Sequence, residues 1–190
     1  MRYCIFFGLL FMTFVGGAQT LPKYDSTMKI GKSGYRISCI NKAIDRNILN
    51  IRPIGFKPEV REVSLELKGR VTNAEIDDLN MDGFPDIIIY ILDKEGRSTI
   101  LSVSSQANER LIPIFFPDIT NDMVLSKGYR GKDEFKLVEG ILFRKFPIFE
   151  SDTTIKLPTN KIRQILYRVE QGERDSWKFK SFKTFDMTIN

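Results

Sequence analysis

The chain has 190 residues, with 29 Lys+Arg against 24 Asp+Glu and no histidine. A net charge of +5, with no dense Lys/Arg run among aromatics, does not describe a nucleic-acid groove. The lack of histidine removes Ser-His-Asp and Cys-His nucleophilic schemes and the usual zinc sites.

Residues 1–18 read as a signal peptide. Arg2 supplies the positive n-region, Ile5 to Val15 the apolar h-region, and Gly16-Gly17-Ala18 the small residues for cleavage before Gln19. The apolar stretch is too short to span a bilayer, so no membrane insertion is expected after cleavage. Cys4 lies too early to be a lipid-anchor cysteine. Removal of Arg2 and Cys4 leaves 28 cations against 24 anions, a charge of +4, and Cys39 as the one remaining cysteine. A single cysteine makes no intramolecular disulfide, so Cys39 is expected to pack as a small hydrophobe. The expected location is the periplasm or the extracellular space, with no nucleic-acid partner.

After a polar segment over residues 19–33, strands follow in close succession. Tyr35 to Asn41 alternates, and Ile48 to Phe56 is a second strand, with Pro53 marking an edge or a bulge. Val63, Leu65 and Leu67 alternate with polar residues, and Val71 to Ile76 is a further strand. Ile87 to Leu92 is the most hydrophobic run of the mature chain, short and β-branched, and reads as a buried central strand. Ser98 to Val103 follows a turn at Asp93-Lys94-Glu95-Gly96, and Leu111 to Phe116 ends at Pro117. Asp118 to Glu134 is a long polar connection. Phe135 to Phe149 is a long strand or bent pair broken near Pro147, and Asp152 to Lys161 is a loop. Ile165 to Glu170 and Trp177 to Lys180 close the chain. The expected fold is all-β: one antiparallel β-sandwich, or flattened barrel, of eight to ten strands over residues 34–190.

Between Val71–Ile76 and Ile87–Leu92 lies an acidic loop of the form D-x-N-x-D-G-x-x-D. Asp78, Asn80, Asp82 and Asp86 offer side-chain oxygens, the Phe84 carbonyl adds another, and Gly83 permits the sharp turn. Calcium favours about 6–8 hard oxygens of this kind. The twelfth position of an EF-hand loop falls on Ile89, and no helices flank it, so this is an EF-like loop in a β context. Ca²⁺ is therefore one reading of the loop. The other is an Asx/Gly turn whose carboxylates bond nearby backbone N–H groups. Asp86, Asp133, Glu134 and Glu139 are the carboxylates that a glycosidase pair would draw on. Gly128-Tyr129-Arg130-Gly131 either presents Tyr129 and Arg130 as contact anchors or is an ordinary sheet connection.

Four segments carry a family resemblance. They are Ala74 to Asp86, Gly128 to Phe135, Val138 to Phe149, and Thr159 to Tyr167. In this order, in a chain of this size with a leader, they resemble the periplasmic inhibitors of I-type lysozyme, the PliI-like domain. The resemblance implies an antiparallel β-sandwich that binds and blocks a lysozyme. It further implies a Ser-Gly loop with a nearby Tyr, just after the central strand, as the plug of the enzyme's cleft. Here the equivalent stretch is Asp93-Lys94-Glu95-Gly96-Arg97-Ser98-Thr99, in which Gly96 and Ser98 are the loose equivalents. The expected binding surface is therefore Asp93, Lys94, Glu95, Gly96, Arg97, Ser98 and Thr99, with Tyr129 and Arg130. The leading expectation is an exported, non-enzymatic binding protein with a protein partner, a lysozyme. The alternative is a calcium-stabilised adhesion or carbohydrate-binding module, and a glycan-cleaving enzyme comes third.

Overall fold

The structure is a computed structural model that describes residues 22–150, 154 and 157–189; the leader expected over residues 1–18 lies outside them. Among these residues twelve strands fall in two sheets, with a single 3-10 turn at Ile119–Asn121. The first sheet holds β1 (Tyr24–Ile30), β2 (Ser33–Cys39), β3 (Asn47–Ile54) and β4 (Val63–Leu67), in that order. The second is built from β5 (Arg70–Asp77), β6 (Asp86–Leu92), β7 (Ser98–Gln106), β8 (Arg110–Phe115), β9 (Glu134–Val138), β10 (Ile141–Phe149), β11 (Pro158–Gln171) and β12 (Trp177–Thr188). Its spatial order is β5-β6-β7-β8-β12-β11-β10-β9, and it curls into a nearly closed barrel. Across the seam, the Asp77 carboxylate at the end of β5 accepts a 2.7 Å hydrogen bond from Gly140 N–H in the β9–β10 turn.

The all-β class holds. Four features differ from expectation. There are twelve strands, more than the eight to ten expected. Phe135 to Phe149 resolves into β9 and β10 around Glu139-Gly140, both at positive φ. The polar stretch ahead of the domain contains β1, an edge strand that buries part of Tyr24 and Met28 against the core and pairs with β2. One half-covered face leaves only a weak alternation to read. Finally, the larger sheet is mixed. β12 runs parallel to β8 at Trp177↔Ile114 and Lys178↔Phe115, which joins the two antiparallel blocks of the barrel.

β6 explains why its sequence shows no alternation. Ile87, Ile89 and Ile91 face the first sheet and pack with Tyr35, Ile37, Leu49 and Ile51. Ile88 and Tyr90 point the other way, into the barrel, with Leu142, Phe146, Ile165 and Phe179. The strand is a partition between two cores, so both its faces are apolar. Cys39 packs in the first core, buried and without a disulfide. Pro53 lies beyond Ile51↔Val63, where β4 pairing stops, so its missing N–H removes no ladder bond on that side.

Candidate functional site

The hairpin between β6 and β7 ends in a braced, charged knuckle. Asp93 Oδ1 accepts from the backbone N–H of Glu95 at 2.9 Å and of Arg97 at 2.8 Å, and Asp93 Oδ2 accepts from Arg97 Nε at 2.7 Å. Burial opposes charge on Asp93, but the hydrogen bonds from the Arg97 backbone and side chain outweigh it and hold the carboxyl below the usual range. Gly96, at φ +76°, supplies the left-handed step at the turn.

This knuckle forms one wall of a groove of about 600 Å³. Asp93, Arg97, Ser98 and Thr99 line it from the hairpin, Asp118 to Thr120 from the 3-10 turn, and Tyr129 to Gly131 from the loop before β9. The loop is seated firmly on β10. Gly128 accepts a 2.8 Å bond from Phe149 N–H, and a Cβ at Gly128 would stand 2.7 Å from the Ile148 side chain and the Phe149 carbonyl. Arg130 lies 4.9 Å over the Phe149 ring and donates to the Glu150 carbonyl.

At the base of the groove is a buried ion pair. Arg144 Nε meets Asp133 Oδ1 at 2.6 Å, with side chains 6% and 1% exposed. Tyr129 O–H donates to the other Asp133 oxygen and accepts from Arg144 Nη2 at 3.0 Å. The guanidinium also sits 5.1–5.9 Å from the ring centres of Tyr129, Phe116, Phe135 and Phe146. Burial works against the Arg144 charge, and the Asp133 carboxylate more than restores it. Burial, then Asp133, pushes the Tyr129 hydroxyl up to about 12. The trio is a fixed, charged platform beneath the mouth, and it orients Tyr129 there.

The residues expected at a binding surface converge. Asp93, Arg97, Ser98, Thr99, Tyr129 and Arg130 share this one groove. Lys94 and Glu95 turn to a second cleft of about 490 Å³, which they line with Asp45, Arg46, Glu66 and Lys68. Gly96 forms the turn between Glu95 and Arg97. Sequence reasoning missed Arg144. The signal was present: Arg144 is in phase with the inward Leu142 and Phe146, and a cation in that phase requires a partner.

The acidic loop is internally bonded. Asp78 accepts from the N–H groups of Asp82 and Gly83, Asn80 Oδ1 from Asp82 N–H, and Asp82 Oδ1 from Phe84 N–H. Asp86 is wholly buried. Its Oδ2 accepts from Leu79 and Asn80 N–H at 3.0 and 3.3 Å, and its Oδ1 from Ser105 N–H at 2.9 Å. This is the Asx/Gly-turn arrangement. Among the described residues, no three His, Cys, Asp or Glu side chains are gathered to hold a metal ion. Of the carboxylates considered for glycan cleavage, Asp86 belongs to this loop and Asp133 to the ion pair, while Glu134 and Glu139 are exposed on β9 and its turn.

Asp86 yields a pH prediction. Desolvation raises its carboxyl from 3.8 to about 7, against the hydrogen bonds from Ser105, Ser104 and Leu79. The folded chain then keeps a proton that the unfolded chain releases near pH 4. Stability should fall as pH rises from about 4 to about 7, by up to ~1.4 kcal/mol per unit. Urea titrations across this range should show the slope in the wild type and a flatter one in Asp86→Asn. An unchanged slope in the variant would exclude Asp86 as its source.

No protein-family model, curated protein or solved structure matches this chain.

Proposed function

We propose that the chain is an exported, non-enzymatic binding protein that grips a protein partner, a lysozyme, with the groove and the Asp93–Thr99 knuckle. The observation that supports this reading is convergence: two loops about 30 residues apart in sequence line one open groove over a platform locked by Arg144 and Asp133. A knuckle already braced by Asp93 loses little conformational freedom on docking. Arg97, Tyr129 and Arg130 belong to the residue types that carry binding energy at interface centres. At the tip Asp93 and Glu95 pair with Arg97, and Lys94 lies beside Glu95, so the knuckle presents both signs of charge to a partner rather than a net negative one.

The test is lysis of cell-wall substrate by I-, C- and G-type lysozymes with stoichiometric protein, together with calorimetric titration. At least one class should be inhibited. Arg97→Ala should weaken that inhibition about tenfold or more, the loss expected of a central interface arginine. If none of the three classes is bound or inhibited, the lysozyme reading fails. Inhibition untouched by Arg97→Ala would place the contact away from this groove.

A further inference from the structure

We infer that the outer face of β9, β10, β11 and β12 is a peripheral docking surface for an anionic phospholipid bilayer. The strand register sets three neighbouring rows across this face. They are Phe143–Leu166–Lys183, Lys145–Gln164–Phe185 and Pro147–Ile162–Met187. Leu142, Arg144 and Phe146 point to the barrel interior, so these rows point away from it.

Charge is concentrated here. Lys136, Lys145, Arg168, Lys178, Lys180 and Lys183 occupy outward positions and are exposed. Against them stand Glu134 and Glu170, and Glu170 bridges Arg168 and Lys180. Six cations against two acids make +4, out of a net +5 for the whole chain. The surface of one half-barrel thus carries nearly all of the protein's excess charge.

Among those cations stand apolar side chains that the fold does not cover. Phe182 is 43% exposed, Phe185 38% and Met187 40%. A bulge between Leu166 and Tyr167 adds Phe182 to this side, and beyond Lys178 β12 has no strand partner on its far edge among the described residues. Phe182, Phe185 and Met187 therefore lie on the edge strand of the face.

The partner must be anionic and must also accept apolar side chains. The rings discriminate among candidates. Arg168 lies 5.5 Å over Phe182, and Lys183 Nζ lies 4.9 Å over Phe185. With a cation over each ring, neither is open as a platform for stacked bases. Rings at the depth of the acyl boundary, with ammonium groups level with phosphates, match a bilayer interface. The groove opens on the other side of β10, so a bilayer and a protein partner need not compete.

The test is co-sedimentation of the chain from Gln19 onward, which contains all twelve strands and both cores, with phosphatidylcholine vesicles with and without phosphatidylglycerol. Binding should require phosphatidylglycerol and weaken as salt is raised. Each lysine near the surface is worth about fivefold, so Lys145→Gln/Lys183→Gln should weaken binding about 25-fold, and Lys145→Glu/Lys183→Glu further. Phe185→Ser should also reduce it, while Lys32→Glu, in the β1–β2 turn, should leave it intact. Melting curves should match throughout, since all these side chains are exposed. No sedimentation with the anionic vesicles overturns the proposal. So does equal binding to neutral vesicles, indifference to the lysine pairs, or retention on an immobilised single-stranded oligonucleotide without vesicle binding.

Discussion

Arg144→Ala is expected to destabilise the fold by about 3–5 kcal/mol, because it strands the Asp133 carboxylate in a buried site. The side chain of Asp133 is 1% exposed and has Arg144 and Tyr129 as its partners, so water cannot replace the lost cation without opening the groove. The variant also empties the space between Phe116, Phe135 and Phe146. Arg144→Met with Asp133→Asn should cost much less than the sum of the two single changes, since each change alone strands a buried charge while the two together leave none, and methionine refills the aromatic surround. Urea denaturation of the four proteins in the cycle measures this directly. Additive losses, or a single-variant loss under about 1 kcal/mol, would mean the pair is wetter than its geometry indicates. If the platform holds Tyr129 in place for a partner, the double variant should retain stability and lose binding.

The second large effect concerns β6. Ile88→Ala and Ile89→Ala should each cost about 2–5 kcal/mol, the range for truncating a buried isoleucine. Both side chains are 0% exposed, yet they serve different cores. Amide hydrogen exchange should separate them. Ile89→Ala should speed exchange in β2 and β3, whose Ile37 and Leu49 share its core. Ile88→Ala should do so in β10 and β11, through Leu142 and Ile165. Identical exchange patterns would mean that the two cores melt as one and that β6 is not a partition.

Much of this architecture is legible along the chain because strand alternation is local. Two-residue periodicity places Leu65, Val71 and Ile165 without knowledge of any neighbour, and the unbroken run Ile87 to Leu92 marks a strand covered on both faces. The Asx/Gly chemistry of Asp78 and Asp82 is equally local, since their oxygens meet N–H groups a few residues away, whereas Asp86 also reaches Ser105 N–H on β7. β1 escaped because an edge strand with one half-buried face imposes little pattern on its residues. Arg144 escaped because a lone cation on a strand looks exposed until its phase is compared with Leu142 and Phe146.

What the sequence determined by itself is the all-β character, the buried central strand and the bend that feeds it, for each follows from contacts within a few residues or from alternation along one strand. What only the tertiary structure decided is adjacency. The parallel seam of β12 on β8, the meeting of Asp93–Thr99 with Tyr129 and Arg130, and the gathering of six cations on one outer face all depend on which distant strands pair and in what register. Pairing is a choice among many strand partners of similar local preference, and it is settled by how two whole cores fill, which no single stretch of the chain encodes.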